Sequence, residues 1–224
     1  MPAVAWKLTA ALPSEGSVIP SAGLAACREG ILLALGAAML MALLGQMGRY
    51  RKPGSVTVNL GGAALAFLYV GLLLSFAVQL RLAFGIAALA SLVIVVKMCD
   101  TGAYTVGRLI GRHKMAPLLS PGKTWEGAAG GLVFACLGSW ATFAWLVPEA
   151  AKPGTAWGWL PFGLLVGTAG MVGDLAESML KRDAGQKDSS HWMPGFGGVL
   201  DILDSILLGA PVAYALWVLG LVGG

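Results

Sequence analysis

Long apolar segments alternate with short polar ones along most of this chain. A helix needs about 20 largely apolar residues to cross a bilayer, and six segments approach or exceed that length. The second, fourth and sixth are the clearest, and the first and fifth are short. The pattern predicts an all-α, polytopic membrane bundle with about six transmembrane helices. The expected spans are 31–47, 58–80, 82–99, 127–147, 159–173 and 199–222.

The same pattern indicates one integral-membrane domain covering residues 1–224. Residues 1–30 contain several prolines and are expected to form a loop or a surface segment. Residues 31–99 then form the N-terminal spans, and residues 100–224 hold the polar residues suited to chemistry. Arg81 is the only charge between the second and third spans, so a tight turn is expected there.

Composition excludes a water-soluble globule. Hydrophobic residues make up 57% of the chain and charged residues 12%, against about 25% charged in soluble domains. The mean hydropathy is +0.78. The 33 glycines suit close helix packing in lipid. Cys27, Cys99 and Cys136 show no metal-ligand spacing and are expected to be buried small hydrophobes.

Positive charge is concentrated in the loops after the first, third and fifth spans. If all six spans are real, these loops lie on one side of the membrane, and the positive-inside rule makes that side cytoplasmic. We therefore expect the polar chemistry to face the cytoplasm. The ten cations are Arg49, Arg51, Lys52, Arg108, Arg112, Lys114, Lys123, Lys181, Arg182 and Lys187.

The first polar loop begins at Asp100 and ends at Glu126. Its glycines let the backbone approach an anion closely. Ser120, Lys123 and Thr124 offer donors suited to phosphate oxygens. Ser120 or Thr124 can also cap the following helix, whose N-terminus favours anions.

Gly122-Lys123-Thr124 resembles the end of a P-loop, but we reject that reading. Pro117 stands where a P-loop requires a glycine, and no strand is expected before it. The alternative for the whole loop is that its cations only anchor it to lipid headgroups.

The second polar region holds two pairs of carboxylates. Asp174 and Glu177 are three residues apart, as are Asp201 and Asp204, so each pair shares one helix face. Both pairs lie at the cytoplasmic ends of spans. Clustered carboxylates repel one another unless a cation lies between them, and hard oxygen ligands beside a phosphate indicate Mg²⁺.

Lys181, Arg182 and Lys187 are interpreted as clamps on phosphate charge. For at least one of them, lipid-headgroup anchoring is the alternative. The second carboxylate pair has its own alternative, which is simple ion pairing with Lys181 or Arg182, although carboxylates at membrane depth usually mark functional sites. For Asp188 two interpretations stay open, a residue of the site and a solvated residue of the loop.

Two runs join these charges to a glycine turn: Ser178-x-x-Lys181-Arg182-x4-Lys187-Asp188 and Pro194-Gly-x-Gly-Gly-x-x-Asp201-x-x-Asp204. They closely resemble the signature of phosphatidate cytidylyltransferases, also called CDP-diacylglycerol synthases. The resemblance covers roughly residue 100 to the C-terminus. Earlier blocks also look like that family: Asp100-x-Gly-Ala-Tyr104, Ser120-Pro-x-Lys123-Thr124-x-Glu126-Gly127 and Gly173-Asp174-Leu-x-Glu177-Ser178.

The resemblance implies a nucleotidyltransferase that converts CTP and phosphatidate into CDP-diacylglycerol and pyrophosphate in phospholipid biosynthesis. It implies Mg²⁺ on Asp174, Asp201 and Asp204, with either two divalent ions or one divalent and one monovalent ion. Lys181 joins these three as a catalytic residue. The residues expected to bind substrate are Asp100, Ser120, Lys123, Thr124, Glu126, Glu177, Ser178, Arg182, Lys187 and Asp188.

The resemblance also implies partners and a location. CTP, phosphatidate and membrane lipids are the expected partners, together with a second copy of the chain in a homodimer, and no nucleic acid. The expected location is the inner membrane of a bacterium, with the active site facing the cytoplasm.

Three other functions are alternatives to this one. A CDP-alcohol phosphatidyltransferase has an Ala-Arg element and a carboxylate spacing that this chain lacks. A CTP-dependent lipid kinase would release CDP rather than pyrophosphate. A cation channel would spread its charges along a pore, whereas these cluster at one membrane face.

Overall fold

The computed structural model describes residues 21–50, 54–147, 157–186, 189–190 and 198–222. Within these ranges the chain is predominantly helical, and five helices are long and apolar enough to cross a membrane. The predicted class, an all-α integral membrane protein, is confirmed. The five helices span Gly23–Arg49, Val56–Ile110, Trp125–Trp145, Trp159–Asp183 and Val199–Val218.

Helix α1, Ser21–Arg49, begins ten residues before the predicted first span. Residues 1–30 were expected to form a loop or a surface segment. Residues 21–30 of this range are helical and not a loop, and its first twenty residues lie outside the described part of the chain. Leu24, Ala25 and Ala26 are strong helix formers, and they extend the helix across Arg28. Most of α1 is exposed at its surface, as suits a helix that faces lipid.

The second and third predicted spans form one continuous stretch of helix. It consists of α2, Val56–Ala66, a π-helical segment, Phe67–Leu72, and α3, Leu73–Ile110. The turn expected at Arg81 is wrong, because Arg81 is helical and the break lies at Gly85. Gly85 has φ 87° and ψ −175°, a conformation that a side chain would strain.

The chain folds back at Gly85, and both sides of the break pack along the last helix, α6, Val199–Val218. Before the break, the Phe76 ring lies 5.7 Å from that of Tyr214. After the break, Leu92 packs on Gly209, where an added Cβ would lie 3.2 Å from it. Segments 56–84 and 86–110 are each long enough for a crossing, so the six predicted crossings are accommodated in five helices.

A β-hairpin follows α3 and was not predicted. Strands β1, Lys114–Ala116, and β2, Ser120–Thr124, pair antiparallel, with Lys114 opposite Thr124. The region 100–126 is therefore not a loop. Its first eleven residues continue α3 to Ile110, and the helix ends at Gly111, where the backbone becomes extended.

Helices α4, Trp125–Trp145, and α5, Trp159–Asp183, complete the bundle with α6. Helix α5 runs ten residues past the predicted end of the fifth span, so Lys181 and Arg182 lie on its last turn rather than in a loop. The core lies between α3, α4, α5 and α6. Its fully buried members include Leu80, Leu92, Val96, Cys99, Phe162, Val166 and Ala210.

Candidate active site

Three carboxylates come together where α5 and α6 meet. Asp174, Glu177 and Asp204 each place a carboxylate oxygen within 4.8 Å of the others, and we call this group the carboxylate cluster. Asp174 and Glu177 share a face of α5. Gly173 allows α6 to approach that face, since an added Cβ would lie 2.6 Å from the Asp204 carbonyl oxygen. Glu177 is 1% exposed and Asp204 is 7% exposed, so the cluster is largely shielded from solvent.

Lys181 connects the cluster to Asp201. Its Nζ lies 2.7 Å from Glu177 Oε2 and 2.6 Å from Asp201 Oδ1. Asp201 Oδ2 also accepts hydrogen bonds from the Gly198 amide at 2.6 Å, from the Ser189 amide at 3.0 Å and from the Ser189 hydroxyl. Both oxygens of Asp201 are therefore engaged by donors. Asp201 was expected to be a metal ligand together with Asp174 and Asp204, but the third member of the carboxylate cluster is Glu177.

Asp100 lies beside the cluster on α3. The Lys97 ammonium lies 3.0 Å from Asp100 Oδ2 and donates to the Ile202 carbonyl at 3.2 Å. The Ser205 hydroxyl donates to Asp100 Oδ1 at 3.4 Å. These contacts fasten α3 to the first turns of α6.

A cavity of about 480 Å³ opens next to the cluster. It is bounded by the end of α3, the hairpin, the start of α4 and one face of α5. Lys123 links cavity and cluster, because its Nζ lies 2.7 Å from Asp174 Oδ2. The lining residues are Asp100, Ala103, Tyr104, Gly107, Arg108, Lys114, Met115, Gly122, Lys123, Thr124, Gly127, Ala128, Met171 and Asp174.

The donor set of the cluster fits a hard divalent cation. All three ligands are carboxylates, which Mg²⁺ and Ca²⁺ prefer. Glu177 Oε1 is buried and has no hydrogen-bond partner among the residues that the structure describes. Buried acceptors are normally satisfied, and a cation between the three carboxylates would satisfy this one.

Comparison with known proteins identifies the family. Residues 13–219 match the model of the cytidylyltransferase family. The chain belongs to this family. It is 39% identical over 127 residues to a phosphatidate cytidylyltransferase of Haemophilus influenzae. The aligned region covers 57% of this chain and 44% of that protein.

Two further relatives carry the same name. The Brucella suis protein is 44% identical over 131 residues, covering 58% of this chain and 47% of its own. The Mycobacterium bovis protein is 36% identical over 168 residues, covering 75% of this chain and 52% of its own. The chain spans about half the length of the curated relatives that it matches.

In this chain of the cytidylyltransferase family, two residues that were predicted to bind substrate accept hydrogen bonds from backbone amides. Thr124 caps α4 by accepting a hydrogen bond from the Gly127 amide at 3.1 Å, as predicted, and it also lines the cavity. Glu126 accepts from the amides of Arg112 at 3.1 Å and His113 at 3.2 Å, and it contacts His113 Nδ1 at 2.5 Å. Glu126 therefore fastens the base of the hairpin and does not line the cavity.

The remaining predicted residues lie around the edge of the site. Ser178 donates to Asp174 Oδ1 at 3.4 Å. Arg182 Nε donates to the Leu119 carbonyl at 3.4 Å, which joins the end of α5 to the hairpin. Ser120 begins β2, opposite Ala116, and does not line the cavity. The predictions for Lys187 and Asp188 fall outside the described residues.

Lys97 is a site residue that the sequence reasoning missed. It lies inside the apolar run that was assigned to the third span, and a lone cation at membrane depth is itself a signal of function or pairing. That signal was available, because Asp100 stands one helical turn later.

Proposed function

We propose that this chain transfers a cytidylyl group from CTP to phosphatidate, releasing pyrophosphate and forming CDP-diacylglycerol. One observation carries the proposal: a buried carboxylate cluster is joined, through the Lys123–Asp174 contact, to a cavity lined by further cations. That combination suits a nucleoside triphosphate and a divalent ion. The relatives named phosphatidate cytidylyltransferase support the choice of lipid and nucleotide.

The cavity is the proposed site for CTP. Arg108, Lys114 and Lys123 supply positive charge along its wall. The start of α4 forms another part of the wall, and a helix N-terminus favours an anion. Lys123 is paired with Asp174, so phosphate oxygens would compete with that carboxylate for the ammonium group.

Mg²⁺ is the proposed ion, held by Asp174, Glu177 and Asp204. When bound, it would neutralise phosphate charge and so help the substrates approach each other. Lys181 holds Glu177 and Asp201 in place from the other side. In this proposal Asp201 positions Lys181 rather than binding metal, a change from the role that the family resemblance implied.

The reaction itself needs no nucleophile from the protein. An oxygen of the phosphatidate phosphate attacks the α-phosphorus of CTP in line. The new P–O bond forms as the bond between the α- and β-phosphates breaks, and pyrophosphate carries away the displaced charge. The chain's contribution is positioning and charge neutralisation by Lys123, Arg108 and Lys181.

We further propose that the site faces the cytoplasm from the inner membrane of a bacterium. The lipid would keep its acyl chains in the bilayer while CTP enters from the aqueous side. The basic residues beside the site agree with the positive-inside rule. Formation of a homodimer stays a prediction of the family resemblance.

The test is pyrophosphate release by purified protein supplied with CTP, Mg²⁺ and phosphatidate. Release should require phosphatidate. Asp204→Asn should reduce the rate about a hundredfold or more, because it removes one charge from the cluster. Asp183→Asn, at an exposed carboxylate near the end of α5, is the matched control and should retain the wild-type rate.

Other outcomes would favour the rival activities. Consumption of labelled CDP-diacylglycerol with an alcohol acceptor would indicate a CDP-alcohol phosphatidyltransferase. Release of CDP instead of pyrophosphate would indicate a lipid kinase.

A further inference from the structure

Tyr69 has a buried hydroxyl group without a hydrogen-bond partner among the described residues. Its side chain is only half-buried, so the ring reaches the surface of the segment while its oxygen points inward. Buried tyrosine hydroxyls usually find a partner. The missing partner therefore calls for an explanation.

The fold-back at Gly85 brings Tyr69 beside the carboxylate cluster. The hydroxyl lies close enough to Glu177, Asp204 and Asp174 to interact electrostatically with all three carboxylates. Glu177 Oε1 is itself buried without a hydrogen-bond partner. The cluster and the tyrosine beside it therefore carry an acceptor and a donor that are both able to bind a further polar group.

Tyr69 reaches the cluster from the side away from the polar cavity. Asp174 borders the cavity, whereas Tyr69 is not among the residues that line it. Its sequence neighbours Leu68 and Val70 are exposed on a membrane-spanning segment, so this side of the cluster faces lipid. Tyr69 also lies on the π-helical segment, and π-bulges frequently occur at functional sites.

We propose that the Tyr69 hydroxyl donates a hydrogen bond to the phosphate monoester of the lipid substrate and so helps select a lipid that carries one. A phenol donates readily to phosphate oxygens, whereas an ionised carboxylate can only accept hydrogen bonds. Segment 56–84 thereby contributes to the site from the membrane side. This inference rests on the proposed function.

Tyr69→Phe is the direct test, because it removes only the hydroxyl group. A hydrogen bond to a charged group contributes about 1.5–3 kcal/mol, so the KM for phosphatidate should rise about tenfold or more. The KM for CTP should stay within about twofold, since CTP is bound elsewhere. Tyr214→Phe is the matched control. Tyr214 packs between Phe76 and Phe84, away from the cluster, and its variant should behave like the wild type.

A binding measurement without catalysis completes the test. In detergent, with EDTA and without CTP, phosphatidate should raise the melting temperature of the wild type more than diacylglycerol with the same acyl chains. Tyr69→Phe should lose most of that difference, and Tyr214→Phe should keep it.

Three results would overturn the inference. The first is an unchanged KM of Tyr69→Phe for phosphatidate. The second is a raised requirement for Mg²⁺ alone, which would mean that the hydroxyl contacts the ion. The third is a lower kcat with both KM values unchanged. Any of them, with the wild type active, would leave the proposed function intact. A wild type that releases no pyrophosphate from CTP and phosphatidate would instead contradict the proposed function itself.

Discussion

Lys181 is the residue on which the charge arrangement of the site depends. It lies between Glu177, which is almost completely buried, and Asp201. A charge removed from water costs several kcal/mol unless a partner compensates it. Asp201 has the Gly198 amide and Ser189 as additional donors, but Glu177 relies on Lys181.

Lys181→Met should therefore lower the free energy of unfolding by about 3 kcal/mol, because it leaves Glu177 buried without its cation. The double variant Lys181→Met, Glu177→Gln should recover much of that loss, since neither charge remains. Denaturant unfolding in detergent measures both. Lys114→Met, at an exposed lysine, is the control and should change stability little. Additive losses in the double variant would contradict the pairing.

For individual residues, the sequence predicted most members of the candidate site but not which of them form the carboxylate cluster. The spacing of Asp174 and Glu177, and of Asp201 and Asp204, correctly placed each pair on one helix face. Spacing along one helix does not say which residue faces the neighbouring helix. Glu177 rather than Asp201 joins the cluster because α5 and α6 meet at Gly173, and that contact is tertiary.

Helices α5 and α6 create the cluster by approaching each other closely at one point. The side chain missing at Gly173 is what permits the approach, since its place is taken by the Asp204 carbonyl. The two helices carry all three carboxylates, so their separation sets the distances within the cluster. Any change in the packing of α5 against α6 therefore changes the distances between the three carboxylates.

Gly173→Ala should reduce both stability and activity. The new methyl group must push α6 away, and overpacking of this kind costs about 1–3 kcal/mol. Activity should fall further than stability alone explains, because Asp204 moves with α6. Melting temperature and pyrophosphate release measure the two effects. Gly36→Ala in α1 has open space around it and serves as the control. Equal behaviour of the two variants would argue against the close approach.

The ends of the elements were less predictable than their existence. Spans were expected to stop at the first charges, Asp100 and Asp174, because lipid excludes charge. The helices instead continue to Ile110 and Asp183, since a helix ends at a residue that breaks it, here near Gly111 and Gly185. The hairpin was not predicted because its strands are short and polar and do not alternate between hydrophobic and polar residues.

Across the whole molecule, the fold-back at Gly85 decides the topology. If the stretch 56–110 were straight, the segments before and after it would lie on opposite sides of the membrane. With the break, both lie on the same side, in agreement with the positions of the basic residues.

Cysteine labelling can test this directly after the three native cysteines are replaced. Ser55→Cys and Leu118→Cys, both at exposed positions, should react with a membrane-impermeant maleimide only after the cells are permeabilised. Trp157→Cys, before α5, should react in intact cells. Labelling of Ser55→Cys and Leu118→Cys from opposite sides would rule out the fold-back.

The paired charges at the site have a consequence for electroneutrality. Asp100, Asp174, Glu177, Asp201 and Asp204 contribute five carboxylates, and Lys97, Lys123 and Lys181 contribute three ammonium groups. With all of them ionised, these eight groups together carry two excess negative charges where the surroundings solvate charge poorly. One divalent ion, or two monovalent ions, would cancel that excess. Charge balance among the side chains of the site therefore favours cation binding at the carboxylate cluster.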